Sequence, residues 1–167
     1  MRKLSIRFCS TIGLVLAVAV AASAAPVTMA IYSDTTGGES LQRDAGNTLT
    51  HSFGNTVRQD AGFSLGGGDT DVSLVDGGHY LALYNSLFNS SGGNERREIQ
   101  SKLNLAGSDV PVGWSQGYIR RQNGQNRTIT TGAGIIEAGA GDVLQLRSFR
   151  TDNENNNASR GDQTGLQ

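Results

Sequence analysis

From Gly77 to Asp152 the chain is divided into short apolar segments by Gly, Asn and Asp, and within the segments apolar residues recur at every second position. A period of two places successive side chains on opposite faces of an extended strand, whereas a helix would need a period near 3.6. No stretch of this region keeps the helical period. Glycine accounts for 23 of 167 residues, about twice the usual share of about 7%. These glycines separate hydrophobic runs, so they read as turn punctuation rather than as linker. Short strands at regular spacing with strong turns build an antiparallel sandwich or barrel.

Val27, Met29 and Ile31 alternate with Thr28 and Ala30 as a first strand, and Val72 and Leu74 alternate with Asp71 and Ser73 as a later one. After the Gly77-Gly78 turn, Tyr80 to Phe88 is apolar on both faces, with Tyr80, Ala82 and Tyr84 on one and Leu81 and Leu83 on the other. Such a strand is either central and covered twice or buried in a subunit interface. Ile99, Leu103 and Leu105 share a parity opposite Gln100, Lys102 and Asn104, the pattern of a strand wet on one side. Trp114, Gln116, Tyr118 and Arg120 alternate with Ser115, Gly117 and Ile119. Asn123-Gly124 then predicts a two-residue hairpin, with Arg127 to Thr131 as its return strand and a separate short strand beginning at Ile135-Ile136. Leu144, Leu146 and Ser148 oppose Val143, Gln145, Arg147 and Phe149 in the last clear strand.

Residues 1–24 read as a secretory signal peptide. Arg2, Lys3 and Arg7 form a positive start, Ile12 to Val20 a short apolar core, and Ala22-Ser23-Ala24 a cleavage site. The apolar core is shorter than the segment needed to span about 30 Å of hydrocarbon, so the processed chain is expected to have no membrane span. Residues 25–167 then form a single secreted domain, extracellular or at the cell surface. The only cysteine, Cys9, lies inside the leader, so the domain is stabilised without disulfides. Removing the leader's three basic residues takes the net charge from −1 to −4, which gives no electrostatic case for nucleic acid or an anionic membrane. Ten of the eleven remaining basic residues are Arg, the cation better suited to interfaces and bidentate pairing.

No catalytic constellation emerges. Gly113-Trp114-Ser115-Gln116-Gly117 matches the nucleophile-elbow pattern, but that chemistry needs a following helix and a histidine later in the chain. Both histidines, His51 and His79, precede Ser115. Asp69 and Asp71, after Gly66-Gly67-Gly68, are a candidate calcium loop, because alternate carboxylates in a flexible turn converge on a hard cation. Asp152-Asn153-Glu154 is a weaker second candidate. Glu95 and Glu98 have no facing geometry that sequence can establish. Arg160-Gly161-Asp162 is a short adhesion tripeptide, and Asn89, Asn126 and Asn157 are glycosylation acceptors only in a host that glycosylates.

Gly78-His79-Tyr80-Leu81-Ala82-Leu83-Tyr84 is similar to the central strand motif, and Gly139-Ala140-Gly141-Asp142-Val143-Leu144-Gln145-Leu146 to the late strand motif, of the complement component 1q and tumour necrosis factor superfamily. The resemblance covers about half of residues 25–167. It implies an all-β jelly roll, two sheets of about ten short antiparallel strands, that assembles as a homotrimer with Tyr80, Tyr84 and Leu146 nearest the axis. It implies non-enzymatic recognition with no required cofactor, sometimes with bound calcium. A collagen-like stalk is absent from the sequence. Only Thr164 to Gln167 remain for the usual Phe/Leu-rich closing strand, which leaves the first strand without its expected partner. The leading expectation is a secreted protein-binding or assembly module. The alternative is a calcium-dependent carbohydrate-binding domain using Trp114 and Tyr118 against sugar faces.

Overall fold

The computed structural model describes residues 27–33, 40–41, 48–90, 96–120, 127–151, 158–160 and 164–166. The signal peptide, Asp152-Asn153-Glu154, Asn123-Gly124, Glu95, Gly161-Asp162, Asn126 and Asn157 lie outside them. The described residues form strands and turns with no helix. One sheet contains β1 (Met29–Ser33), β2 (Ser40–Leu41), β4 (Asn55–Gln59), β7 (Gly78–Ser90), β11 (Arg127–Ala138), β13 (Ala158–Arg160) and β14 (Thr164–Leu166). The facing sheet contains β3 (Leu49–Thr50), β5 (Phe63–Gly66), β6 (Asp71–Leu74), β8 (Arg96–Leu105), β9 (Ser108–Asp109), β10 (Ser115–Arg120) and β12 (Val143–Arg150). The strand pairings are antiparallel. This is an all-β jelly-roll sandwich, with fourteen strands among the described residues where about ten were expected, and with β7, β8 and β11 longer than the short strands expected.

The period-two reading locates the core. On β12 Leu144, Leu146 and Ser148 point inward and the intervening residues are half-exposed. On β8 Ile99, Ser101 and Leu103 are buried on the inward parity. On β7 Ala82, Tyr84, Ser86 and Phe88 are buried while Leu81 and Leu83 point away from the partner sheet. The largest apolar cluster joins Met29, Ile31, Phe53, Leu74, Leu103 and Leu146 across the two sheets. A second, around Phe88, Ile99, Ile119 and Leu41, fills the other end.

Three expectations need correction. The first strand does have a partner: β14, short as it is, pairs with β1 (Ile31 opposite Leu166) and with β7 (Leu166 opposite Tyr84). One buried leucine with three backbone positions is enough to bridge them. Second, β10 and β11 are not a paired hairpin. β10 pairs with β8 and β11 with β7, in different sheets. Gly117 explains the arrangement, because a Cβ there would lie 2.8 Å from Thr128 Oγ1 and 3.0 Å from Thr130 Cγ2. β10 therefore lies face to face over β11 rather than beside it. Third, β11 runs unbroken through Ile135-Ile136. Gly132 and Gly134 do not interrupt it. They make room, Gly132 for the Tyr84 ring and Gly134 for Val112.

Candidate interaction face

β7 and β11 pair over twelve positions, from Gly78 opposite Ala138 to Asn89 opposite Arg127. The register sets Leu81 opposite Ile135, Leu83 opposite Ala133 and Leu87 opposite Ile129. The odd-numbered positions on both strands face away from the partner sheet, so these pairs share one outer side, on which Leu87 is itself buried. Its aliphatic side chains are unusually open: Leu81 is 63% exposed, Leu83 40%, Ile129 57% and Ile135 67%. Tyr32 extends the patch across the sheet, since it lies opposite Gly165, which in turn lies opposite Asn85 of β7. Directly opposed β-branched and aliphatic side chains stabilise strand pairing. An antiparallel sheet with one wet face would nevertheless normally carry polar residues there. Exposed apolar side chains gathered on one sheet face are the pattern found at interaction surfaces.

Of the residues expected near a trimer axis, Tyr80 and Tyr84 lie on the opposite face of β7, and Leu146 lies on β12 of the facing sheet. Tyr84 and Leu146 are buried in the protomer's own core, and Tyr80 is half-buried with its ring edge-on to Phe63 at 5.8 Å. Tyr80 donates its hydroxyl to the Asp76 carbonyl at 2.6 Å. The parity is decided by what fills the sandwich. Tyr84 turns inward because Gly132 leaves space for its ring and because its hydroxyl finds the Ser101 carbonyl at 2.8 Å and Ser115 Oγ at 3.1 Å. Burial pushes the Tyr84 phenol pKa up. The sequence reading of Tyr80 to Phe88 as a strand holds, and the outward residues Leu81 and Leu83 were visible in its two-faced pattern. Ile129 and Ile135 join them only through the β7–β11 register, which runs across a sequence distance no local pattern reports.

Buried hydroxyls form a chain inside the sandwich. Ser101 Oγ contacts Thr130 Oγ1 at 2.7 Å and Ser148 Oγ at 2.6 Å, and Ser148 Oγ contacts His51 Nε2 at 2.8 Å. All four residues are buried. This chain ties β8, β11 and β12 together and opens to no substrate. Ser115 begins a strand rather than a strand-to-helix turn, and its described partner is the Tyr84 hydroxyl. The elbow geometry is therefore not formed.

Asp69 has φ 65 and follows Gly67 (φ 61) and Gly68 (φ 70), a tight left-handed turn. Its side chain is exposed, while Asp71 Oδ1 accepts from Thr70 Oγ1 at 2.9 Å and from Gln145 Nε2 at 2.6 Å. Among the described residues no three His, Cys, Asp or Glu side chains converge as a metal set. Trp114 and Tyr118 are both exposed on the other sheet's side. Trp114 edges a shallow cavity of about 350 Å³ with Lys102, Asp109 and Pro111, and Tyr118 stands opposite Glu98. Asp109 accepts from Asn104 at 3.1 Å and from Lys102 at 3.3 Å, which holds its carboxyl below the usual range. No helix among the described residues is long and apolar enough to cross a membrane.

Two stacked antiparallel sheets, with the long β7 and β11 side by side in one of them, define a jelly-roll sandwich. No protein-family model and no curated protein sequence matches the chain. Among solved structures, the globular domain of the zebrafish complement 1qA protein superimposes with a TM-score of 0.53 at 11% identity, covering 83% of this chain and 90% of that one. The Eiger TNF structure from S. frugiperda matches with a TM-score of 0.45 at 14% identity, over 85% of this chain and 92% of that one. The first likeness establishes the fold.

Proposed function

We propose that the chain is an extracellular, non-enzymatic protein-interaction module that assembles with copies of itself through the outer face of β7 and β11. The carrying observation is the exposed aliphatic set Leu81, Leu83, Ile129 and Ile135 on the outer face of one sheet, with Leu81 directly opposite Ile135. A homotrimer is the assembly implied by the family resemblance, and a central strand apolar on both faces is what such an assembly needs. The leader pattern of residues 1–24 supports export. The engagement of Asp71 by Thr70 and Gln145 gives the calcium-dependent sugar reading no further support.

Sedimentation velocity of the purified chain tests this. Wild type is expected to sediment as a trimer at micromolar concentration, and the double variant Leu81→Ser/Ile135→Ser as a folded monomer with unchanged circular dichroism. A wild-type chain that stays monomeric to 100 µM, on the order of a weak physiological association, would overturn the proposal.

A further inference from the structure

The outer face of the second sheet is built across the neighbouring strands β10, β8 and β12. The register sets Gln116 opposite Gln100 and Gln100 opposite Phe149, with Tyr118 opposite Glu98 in the next row. On β10 Gly117 and Ile119 are buried while Gln116 and Tyr118 are exposed, so the even-numbered positions point outward. Trp114 directly precedes β10 on the same parity and lines a recess of about 350 Å³ with Gln100 and Lys102 of β8. Trp114 is 55% exposed and Tyr118 44%. The two rings thus stand on one side of the sheet, four residues apart, or about 13 Å at the rise of a strand.

Between them the face carries amides, where the outer face of β7 and β11 carries aliphatic side chains. Gln100 Nε2 donates to Gln116 Oε1 at 3.5 Å, and Gln116 Nε2 donates to Glu98 Oε2 at 3.4 Å. Both contacts are solvent-exposed and at the long, weak end of hydrogen bonding, so a ligand displaces them at little cost. Each amide brings two N–H donors and a carbonyl acceptor. The cation beside Trp114 is already matched, since Lys102 Nζ lies 3.3 Å from Asp109 and 4.8 Å from the centre of the Phe149 ring. An occupant must therefore be neutral, present apolar faces at two separated points, and both donate and accept hydrogen bonds between them. A proline-rich peptide brings rings and carbonyls, but proline has no N–H for the glutamine carbonyls and Glu98. An extended chain of pyranose rings with equatorial hydroxyls meets all three demands. Its axial C–H bonds make apolar faces suited to the negative face of an aromatic ring, and the hydroxyls around its rim donate and accept.

We propose that this face binds a neutral, extended β-linked glycan lying along β10, with Trp114 and Tyr118 stacked on its sugar rings and Gln116 and Gln100 holding hydroxyls between them. No cation takes part. Asp71 belongs to β6, on the far side of β12 from β8, and its carboxylate is engaged by Thr70 and Gln145. The site lies on the opposite sheet from the outer face of β7 and β11 and is complete within one protomer, so it does not rest on self-assembly.

Trp114 is the chain's one tryptophan, so intrinsic fluorescence reports on this face alone. Titration of the purified chain with cellohexaose and with N-acetylchitohexaose is expected to give a saturable change in that emission for at least one of them, and calorimetry gives the affinity. Trp114→Ala and Tyr118→Ala should each weaken binding by about tenfold or more, as truncation of a central aromatic contact does. Gln100→Ala/Gln116→Ala should weaken it severalfold, and melting followed by circular dichroism checks that these surface variants stay folded. Excess EDTA should leave the affinity unchanged. Leu81→Ser/Ile135→Ser should bind the glycan as wild type does, which separates failure of the assembly from failure of this site. No saturable response to either hexaose overturns the proposal. Loss of binding in EDTA does so too, as does an affinity for glucose equal to that for the hexaose, because a single ring cannot engage both aromatics. Tighter binding of decaproline than of either hexaose would make the face a proline-rich peptide site instead.

Discussion

Tyr84 shows how a single side chain sets the polarity of a strand. Its ring occupies the space that a side chain at Gly132 would need, and its hydroxyl is held inside by the Ser101 carbonyl. Tyr84→Phe leaves that buried carbonyl short of a donor, and is expected to lower stability by about 1–3 kcal/mol in urea titrations. The phenol pKa is raised above its ordinary 10.0, chiefly by desolvation. A raised pKa means that the unfolded state loses its proton first. The tyrosine's contribution is therefore intact below pH about 10 and is lost as pH climbs toward the folded value. The gap between wild type and Tyr84→Phe should accordingly narrow at pH 10–11, and a constant gap would exclude this linkage. Asp60 behaves in the opposite sense. The Arg58 guanidinium, then the Thr28 N–H, hold its carboxyl below the ordinary 3.8. Its hold on the start of β1 is present above pH about 4 and lost as pH falls through the depressed value. The protection of the Thr28 amide relative to its intrinsic exchange rate should fall in that acid window in wild type, and should already be lost at neutral pH in Asp60→Asn. None of this residue-scale chemistry was legible in the sequence. Tyr84 read as apolar on the strand face nearest an interface, and His51 as a lone histidine, because the Ser148 beside it lies 97 positions away.

At the scale of elements, alternation was legible wherever one strand has one buried face. β6 and β12 follow their sequence parity closely, and β8 does so through Leu103, after which Asn104, expected on the wet face, is buried and Leu105 is half-buried. Pairing partners were less accessible, because pairing is decided by contacts distant in sequence. Asn123-Gly124 suggested a hairpin, yet Gly117 lets β10 stack over β11 and pair with β8 instead. β14 looked too short to serve as a closing strand, but Leu166, buried at 4% exposure, anchors it between β1 and β7. Leu166→Ala is expected to cost about 2–5 kcal/mol, as for other buried leucines. Its exchange signature should be directional. β14 joins β1, and β4 beyond it, to the rest of the sheet, whereas β7 keeps its full ladder with β11. Ile31 should therefore lose protection while Ile135 retains it, and uniform loss along both strands would show that β14 does not act as the bridge.

For the whole molecule, the proposed self-association through the outer face of β7 and β11 would link stability to concentration. An aliphatic side chain moved from water into a packed contact contributes about 1.5–3 kcal/mol. Leu81, Ile129 and Ile135 remain mostly exposed in the protomer, so that contribution is realised only on association. Association must also offset about 4–15 kcal/mol of lost translational and rotational freedom, so the proposed trimer would form over a definite concentration range. Where it does, unfolding is coupled to dissociation. For three chains per complex, each tenfold rise in protein concentration then adds about 0.9 kcal/mol per protomer to apparent stability, or about 3 °C in Tm for a domain of this size. Calorimetric scans of wild type from 5 to 500 µM, about two decades, should rise by about 6 °C on this scale. Leu81→Ser/Ile135→Ser should give a Tm that does not move with concentration, because its outer face has no association to couple. A wild-type Tm equally insensitive to dilution would mean that this face is covered by something other than a second copy of the chain.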